Sequence, residues 1–132
     1  GFLYSSSMRG DDIPYYTVLD GKETDLVEIP SKWELDDYVA QAYSVYPAEP
    51  AGLDRISCYR NVQDNDLREF RGYYDMGLCI AFLMHPQISG APGRNLVLEE
   101  VLKEVTSHKD VWVATGSEVA EYWRKAHPRK ED

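Results

Sequence analysis

Apolar and polar positions divide this chain into short runs and longer stretches with helical spacing. Apolar runs bounded by breakers predict strands, at residues 2–7, 25–30, 78–84 and 111–114. Apolar residues three and four positions apart predict helices, at residues 31–42 and 61–74 and in two segments around Val101 and Val119. Because strands and helices alternate, the pattern predicts an α/β fold with about four parallel strands and outer helices.

Local signals predict where several elements begin and end. Ser31 and Thr115 are each followed three residues later by glutamate, which is the capping-box pattern of a helix start. Gly77 follows the second helical segment and is typical of a helix end. Glycine and proline predict a loop over residues 8–16 and a break at residues 47–52.

The apolar run at residues 77–84 ends in His85, which proline follows. An unbroken run of this kind is typical of a strand buried on both faces of a parallel sheet. Proline ends the strand, so His85 is predicted at its carboxyl end, where α/β folds build their sites. We expect the imidazole to face a cleft; the alternative is a capping or core histidine bonded to backbone.

Charge and composition exclude some classes of partner. The 132 residues predict one domain, 1–132, or part of one, with 14 basic and 23 acidic residues and a net charge of −9. An acidic chain of this kind argues against nucleic acid and against anionic membranes as partners. The apolar run is too short to cross a bilayer, and no basic leader opens the sequence, so we expect a cytoplasmic location.

Several segments in a fixed order carry a family resemblance. Gly-Phe-Leu-Tyr-Ser-Ser-Ser-Met at residues 1–8, Asp-Ile-Pro-Tyr at 12–15, Leu-Val-Glu-Ile-Pro at 26–30 with Trp33, Leu-Met-His-Pro at 83–86 and the stretch 111–120 resemble the polysaccharide deacetylase family. The resemblance implies the NodB-like fold, a distorted (β/α) barrel. It is closest to the subgroup of peptidoglycan deacetylases, allantoinase-like proteins and cyclic imide hydrolases.

The resemblance aligns with the C-terminal half of the family domain. The family's Asp-Asp strand motif and His-x-x-x-His motif supply its catalytic base and metal ligands, and this sequence has neither. Its histidines are His85, His108 and His127, and no two have that spacing. The resemblance therefore implies a divalent metal, zinc, held by an N-terminal half and not by this chain. The expected partner is that half as a second chain, or a second copy of this chain.

The resemblance also suggests site residues. His85 matches the family histidine that acts as general acid. Asp36 and Asp37 lie where a family carboxylate orients catalytic side chains. Neighbours on a helix diverge by about 100°, so at most one should face the site. The alternative is that they are solvated acids in the first turn of a helix, where the helix dipole favours negative charge. Trp33 lines a substrate cleft or simply packs, and Arg94 meets an anion at a helix entry or lies solvated on the surface.

Two functions of different classes remain open at this stage. One is part of a metal-dependent amidohydrolase that cleaves C–N bonds of N-acetylated sugars, or of cyclic ureides or imides. The other is a non-catalytic carbohydrate-binding or assembly module on the same scaffold, which the missing metal and base motifs favour.

Overall fold

The structure is a computed structural model that describes residues 1–41 and 57–129. The predicted break at residues 47–52 and the last position of the first predicted helix lie outside these residues. The chain divides into two compact units. The first contains Gly1–Ser31, Gly77–Ala81 and Trp112–Asp132, and the second contains Lys32–Met76 and Phe82–Val111.

The first unit contains a small mixed sheet. Its strands are β1 (Tyr4–Ser5), β2 (Tyr15–Leu19) and β3 (Lys22–Glu28), in the order β1-β3-β2. β1 pairs with β3 in parallel, whereas β2 and β3 form an antiparallel hairpin. The two-residue turn of the hairpin is Asp20-Gly21, and both residues have positive φ, 51° and 78°. An Asp-Gly pair is the sequence signal for a turn of this kind, and it identifies a hairpin that the strand predictions missed.

Helix α5 (Gly116–Ala126) packs against β1 and β3 in the same unit. It begins with the predicted capping box: Glu118 N donates to Thr115 Oγ1 at 3.3 Å, and Thr115 N donates to Glu118 Oε2 at 2.7 Å. Glycine at the first helical position leaves room for the ring of Tyr4, because a Cβ at Gly116 would overlap that ring unless it shifted.

The second unit is helical. A 3₁₀ turn (Trp33–Leu35) is followed by α1 (Asp37–Gln41), α2 (Tyr59–Met76), α3 (Pro86–Ser89) and α4 (Pro92–Ser107). Gly77 follows α2 with φ of 67°, as its predicted stop requires. α2 packs on α4 through buried residues at helical spacing, which are Val62, Phe70 and Tyr73 on α2 and Val97, Val101 and Val105 on α4. No helix in the described part of the chain is long and apolar enough to cross a membrane.

The α/β class is confirmed, but several local predictions are wrong. Residues 78–84 are partly exposed rather than buried on both faces, and their recorded pairing is one parallel bridge between Leu83 and Asp36. Residues 111–114 join no ladder among the described residues. An apolar run records only a tendency to be buried, whereas a strand also needs a neighbouring backbone to pair with. The four parallel strands and the barrel stay predictions.

The helix start expected at Ser31 is also wrong. Lys32 precedes the 3₁₀ turn without a side-chain cap, and α1 begins only at Asp37. The local capping pattern is overridden because the Leu83 backbone pairs with the chain at Leu35 and Asp37. A backbone in that paired, extended form cannot continue the helical turn.

Replacing Thr115 by alanine should weaken the start of α5, because the amide of Glu118 loses its acceptor. We expect Thr115→Ala to lower the free energy of unfolding by about 0.5–2 kcal/mol. Urea denaturation of the protein measures the change. Thr115→Ser keeps the hydroxyl and should stay close to the wild type; equal stability of the alanine and wild-type proteins would contradict the role of the cap.

Candidate functional site

Two backbone segments of the second unit bring the predicted site residues together. Leu83 N donates to Leu35 O at 2.9 Å, and Asp37 N donates to Leu83 O at 3.1 Å. This short parallel pairing aligns the start of α1 with the entry to α3. As a result Asp37, the first residue of α1, lies beside His85, which precedes α3.

The carboxylate of Asp37 is buried and surrounded by donors. Asp37 is 4% exposed, and its Oδ1 accepts from His85 Nδ1 at 2.6 Å. Its Oδ2 accepts from His85 N at 2.9 Å, from Ser89 N at 3.2 Å and from the Ser89 hydroxyl. Burial raises the pKa of Asp37, but the hydrogen bonds from Ser89 and His85 outweigh it and hold the pKa below the ordinary value.

The ionised carboxylate determines how the imidazole is used. Because Asp37 can only accept, Nδ1 of His85 must be the donor, which assigns the proton of that nitrogen from the hydrogen-bond network. The opposite nitrogen, Nε2, is then left for a bound molecule. The side chain of His85 is 32% exposed, so such a molecule can reach the ring. His85 therefore has an oriented imidazole, as a proton-transfer group requires.

Asp36 lies next to this pair without bonding to it directly. Its Oδ1 accepts from Tyr38 N at 2.9 Å and lies 3.8 Å from His85 Nδ1. The prediction that only one of the two aspartates faces the site assumed that both are helical. Asp36 is extended, with φ of −101° and ψ of 115°, and so both carboxylates approach the same nitrogen. Asp37 is the one that binds it.

The other two predicted residues differ in their surroundings. Trp33 is 57% exposed, and Tyr38 places its ring centroid 5.7 Å from that of His85. The ring of Tyr38, which is 45% exposed, therefore gives the neighbourhood of His85 an accessible aromatic surface. Arg94 instead donates to the backbone carbonyl of Gln41 at 3.3 Å, a contact that holds α4 to the end of α1. Binding of an anion by Arg94 stays a prediction.

Asp36, Asp37 and His85 also form the kind of cluster that could hold a metal ion, with one potential ligand atom of each within 4.8 Å of the others. The hydrogen bonds argue against that use. Both oxygens of Asp37 already accept from backbone, hydroxyl and ring donors, and Nδ1 carries the proton that it donates to Asp37. A metal bound through Asp37 and Nδ1 would have to displace these bonds, so this part of the cluster fits an oriented histidine better than a metal centre.

Two further polar residues belong to the surroundings of this site, and the sequence interpretation missed both. Ser89 lies one helical turn after His85 and is 4% exposed. Asp66 is 8% exposed and sits between Val62 and Phe70 on the buried face of α2, four residues from each. A carboxylate at helical spacing within an apolar face is a signal that would have identified Asp66.

Asp66 is a buried acid whose environment disfavours its charge. Burial raises its pKa to about 6, a hydrogen bond from Asn65 opposes the change, and the charges of Asp37 and Glu69 add to it. Asn65 also donates to Glu34 O at 3.1 Å, so α2 is attached to the turn that leads into α1. The acid is therefore close enough to Asp37 for its titration to depend on the charge there.

Replacing Asp66 by asparagine should change how stability depends on pH. The folded protein holds the Asp66 proton more tightly than the unfolded chain, since its pKa is about 6 instead of 3.8. The free energy of unfolding should therefore fall as pH rises from about 4 through about 6, and stay lower above that. Asparagine cannot ionise, so Asp66→Asn should not lose this stability. We expect its free energy of unfolding to fall by about 1–3 kcal/mol less than that of the wild type between low pH and pH 7.5.

Urea denaturation at pH 5 and pH 7.5 measures the effect. Asp64→Asn is the matched control, because Asp64 lies on the same helix with its side chain 61% exposed. An equal loss of stability between the two pH values in Asp66→Asn and in the wild type would contradict the assignment.

The whole chain was also compared with known proteins. No model of a known protein family matches the sequence. The chain is 27% identical to the peptidoglycan deacetylase of Helicobacter pylori over 98% of its own length, which is 52% of that protein. A crystal structure from Mycobacterium smegmatis, assigned as a polysaccharide deacetylase, matches all of the chain with 35% identity and a TM-score of 0.80, over 45% of that protein.

The crystal structure of Puue allantoinase shares the fold, with a TM-score of 0.77 and 22% identity over 98% of the chain and 41% of that protein. The chain thus spans about half the length of the relatives it matches. Deacetylases are hydrolases that act on C–N amide bonds. The resemblance predicted from the sequence motifs is confirmed, and the chain is a relative of the polysaccharide deacetylases along essentially its whole length.

Proposed function

We propose that this chain supplies the general acid of a deacetylase that cleaves the C–N amide bonds of N-acetylated sugars. The observation that carries the proposal is the hydrogen bond of 2.6 Å between His85 Nδ1 and the buried carboxylate of Asp37. It orients an imidazole that remains accessible on its other side. Histidine suits proton transfer near neutral pH, because its ordinary pKa lies there.

In the proposed reaction, water adds to the amide carbonyl carbon and the C–N bond then breaks. The departing nitrogen takes a proton from His85 Nε2 and leaves as an amine, while the acyl group leaves as a carboxylate. Asp37 keeps its hydrogen bond to Nδ1 throughout and stabilises the ring in its protonated form. The same bond prevents rotation of the ring, so that Nε2 keeps its direction toward the nitrogen that leaves.

The remaining chemistry is assigned to residues outside this chain. The family resemblance implies a divalent metal, zinc, and a carboxylate base in the other half of the domain. Such a metal polarises the amide carbonyl and activates water when bound. The cluster of Asp36, Asp37 and His85 is not proposed to hold it, because Asp36 Oδ1, both oxygens of Asp37 and His85 Nδ1 take part in the hydrogen bonds described above, and Nε2 is assigned to the substrate.

The aromatic surface near His85 supports a sugar as the substrate. Tyr38 is 45% exposed, and its ring lies tilted against the imidazole. Trp33, four residues before Asp37 in the chain, is also more than half exposed. Aromatic faces of this kind pack well against the apolar faces of sugar rings. A cyclic ureide is the alternative substrate class, because one of the structures that share this fold is an allantoinase.

A binding module without activity is the second candidate function. The accessible rings of Trp33 and Tyr38 would serve binding alone equally well. The ordered Asp37–His85 pair favours catalysis, since a binding surface has no need for a buried carboxylate beneath a histidine. Calorimetric binding of a chitin oligomer, with no turnover by the assembled protein, would select the binding function.

We also propose that the chain works with the remaining half of the barrel, with a second copy of itself as the alternative. The first unit exposes large apolar side chains, including Phe2 at 91%, Val113 at 71% and Trp112 at 57%. Burying each such side chain stabilises a protein by about 1.5–3 kcal/mol. Exposed apolar groups in this number are typical of a surface that another polypeptide covers.

Replacing His85 by glutamine should abolish most of the activity, because the departing nitrogen loses its proton donor. We expect turnover of an N-acetylated sugar oligomer to fall by roughly 10²–10⁴-fold in the assembled protein. Amine release measures the rate after co-expression of this chain with the complementary half. His108→Gln is the matched control, because His108 packs against Phe70 and Tyr74.

Near-full activity of a folded His85→Gln protein would remove His85 from the reaction. Absence of any hydrolysis by the wild type, with both halves present and assembled, would defeat the enzymatic proposal as a whole.

Replacing exposed apolar residues of the first unit should weaken assembly. We expect the double variant Phe2→Ser/Val113→Ser to shift the sedimentation profile toward free chains, since both side chains lose the apolar surface that a partner would cover. Leu102→Ser is the control, because Leu102 is 48% exposed on α4 in the second unit. A wild-type chain that sediments as a monomer and melts cooperatively by itself would contradict the assembly proposal.

A further inference from the structure

Ser89 is the least expected component of the site. It ends α3, a helix of four residues that begins with Pro86 directly after His85. Both its backbone N–H and its hydroxyl donate to Asp37 Oδ2. The residue is 4% exposed, so the bond from the hydroxyl is sheltered from competing water.

The turn that carries Ser89 is held tightly in place. Gly90 N donates to Pro86 O at 3.0 Å, and a Cβ at Gly90 would collide with that same carbonyl oxygen. Ser89 N also donates to His85 O at 2.9 Å. The serine and the histidine are therefore fixed relative to each other as they face the two oxygens of one carboxylate.

Ser89 and His85 compete for the charge of Asp37. The hydroxyl has one proton, and its neighbours are Asp37 Oδ2 and Met84 Sδ, the latter at 3.4 Å. A carboxylate is a much stronger acceptor than a thioether, so the proton goes to Asp37. A hydrogen bond to Oδ2 withdraws negative charge from the carboxylate and leaves less for the bond from Oδ1 to the imidazole.

We propose that Ser89 is a positioning residue whose hydroxyl limits the strength of the Asp37–His85 hydrogen bond and so sets how readily His85 gives up its proton. A bond that is too strong would keep the proton on His85 and slow its transfer to the departing nitrogen. This role rests on the proposed function of His85 as the acid. The hydrogen bond itself can be observed without any catalysis.

The experiment compares Ser89→Ala with Ser89→Thr, which keeps the hydroxyl. Proton NMR of the assembled protein follows the downfield signal of the His85 Nδ1 proton, identified by its absence in His85→Gln. We expect Ser89→Ala to move the signal further downfield, because the hydrogen bond to Asp37 becomes stronger. Ser89→Thr should keep the wild-type position. Ser107→Ala is the control, because that hydroxyl bonds to the Glu104 carbonyl at the end of α4.

Activity gives the second measurement. The rate should decline with rising pH as the acid loses its proton, and Ser89→Ala should move this decline to higher pH by about one unit or less. If Ser89 only stabilises the fold, Ser89→Ala should lower the melting temperature. The NMR signal and the pH at which the rate declines should then stay as in the wild type.

An unchanged or upfield signal in a folded Ser89→Ala protein would overturn the proposal, as would equal shifts in the alanine and threonine variants. Where Ser89→Ala does not fold, Ser89→Cys replaces it. The thiol is a weaker donor, so we expect a smaller shift in the same direction, and no shift would overturn the proposal. A shifted signal in a protein that hydrolyses no amide would defeat the proposed function. It would still support the claim that the Ser89 hydroxyl weakens the hydrogen bond between Asp37 and His85.

Discussion

The buried carboxylate of Asp37 is the interaction on which the second unit and its site depend. An ionised carboxylate without partners in the interior is strongly destabilising, so its burial requires donors on each oxygen. The donors come from His85, which precedes the short helix α3, and from Ser89, which is its last residue. Satisfying one charge therefore determines where α3 starts, how the imidazole is oriented and which of its nitrogens remains available.

The first unit also contains a buried carboxylate, although only one of its oxygens has donors among the described residues. Glu28, at the end of β3, is fully buried, and its Oε1 accepts from the backbone N–H groups of Ser7 and Met8. These bonds hold the segment after β1 against β3. Met8 O in turn accepts from Ser31 N at 3.2 Å, which closes the loop. In both units an acidic side chain organises irregular backbone that has few ladder bonds of its own.

Among its described residues, the second unit contains three buried acidic residues, Asp36, Asp37 and Asp66. Asp36 and Asp37 both approach the imidazole of His85, at 3.8 Å and 2.6 Å from its Nδ1. Asp66 adds a third buried acid on the neighbouring helix, and its pKa is raised to about 6. In the proposed function, the bond from His85 Nδ1 to Asp37 orients the imidazole, and the hydroxyl of Ser89 limits the strength of that bond.

The sequence by itself determined the α/β class, the family resemblance, the capping box at Thr115 and the stop at Gly77, and it singled out His85 as a candidate site residue. Each depends on local spacing or on an ordered series of motifs, which the chain carries without reference to its partners. The Asp20-Gly21 pair also carried a local signal for a hairpin, although the strand predictions missed it. Only the tertiary structure decided that Asp37 binds His85, that Asp36 is extended, that α1 starts late and that Ser89 and Asp66 are buried beside the site. These depend on which backbone pairs with residues 35–37 and on how a buried charge finds its donors, and both are contacts between residues far apart in the chain.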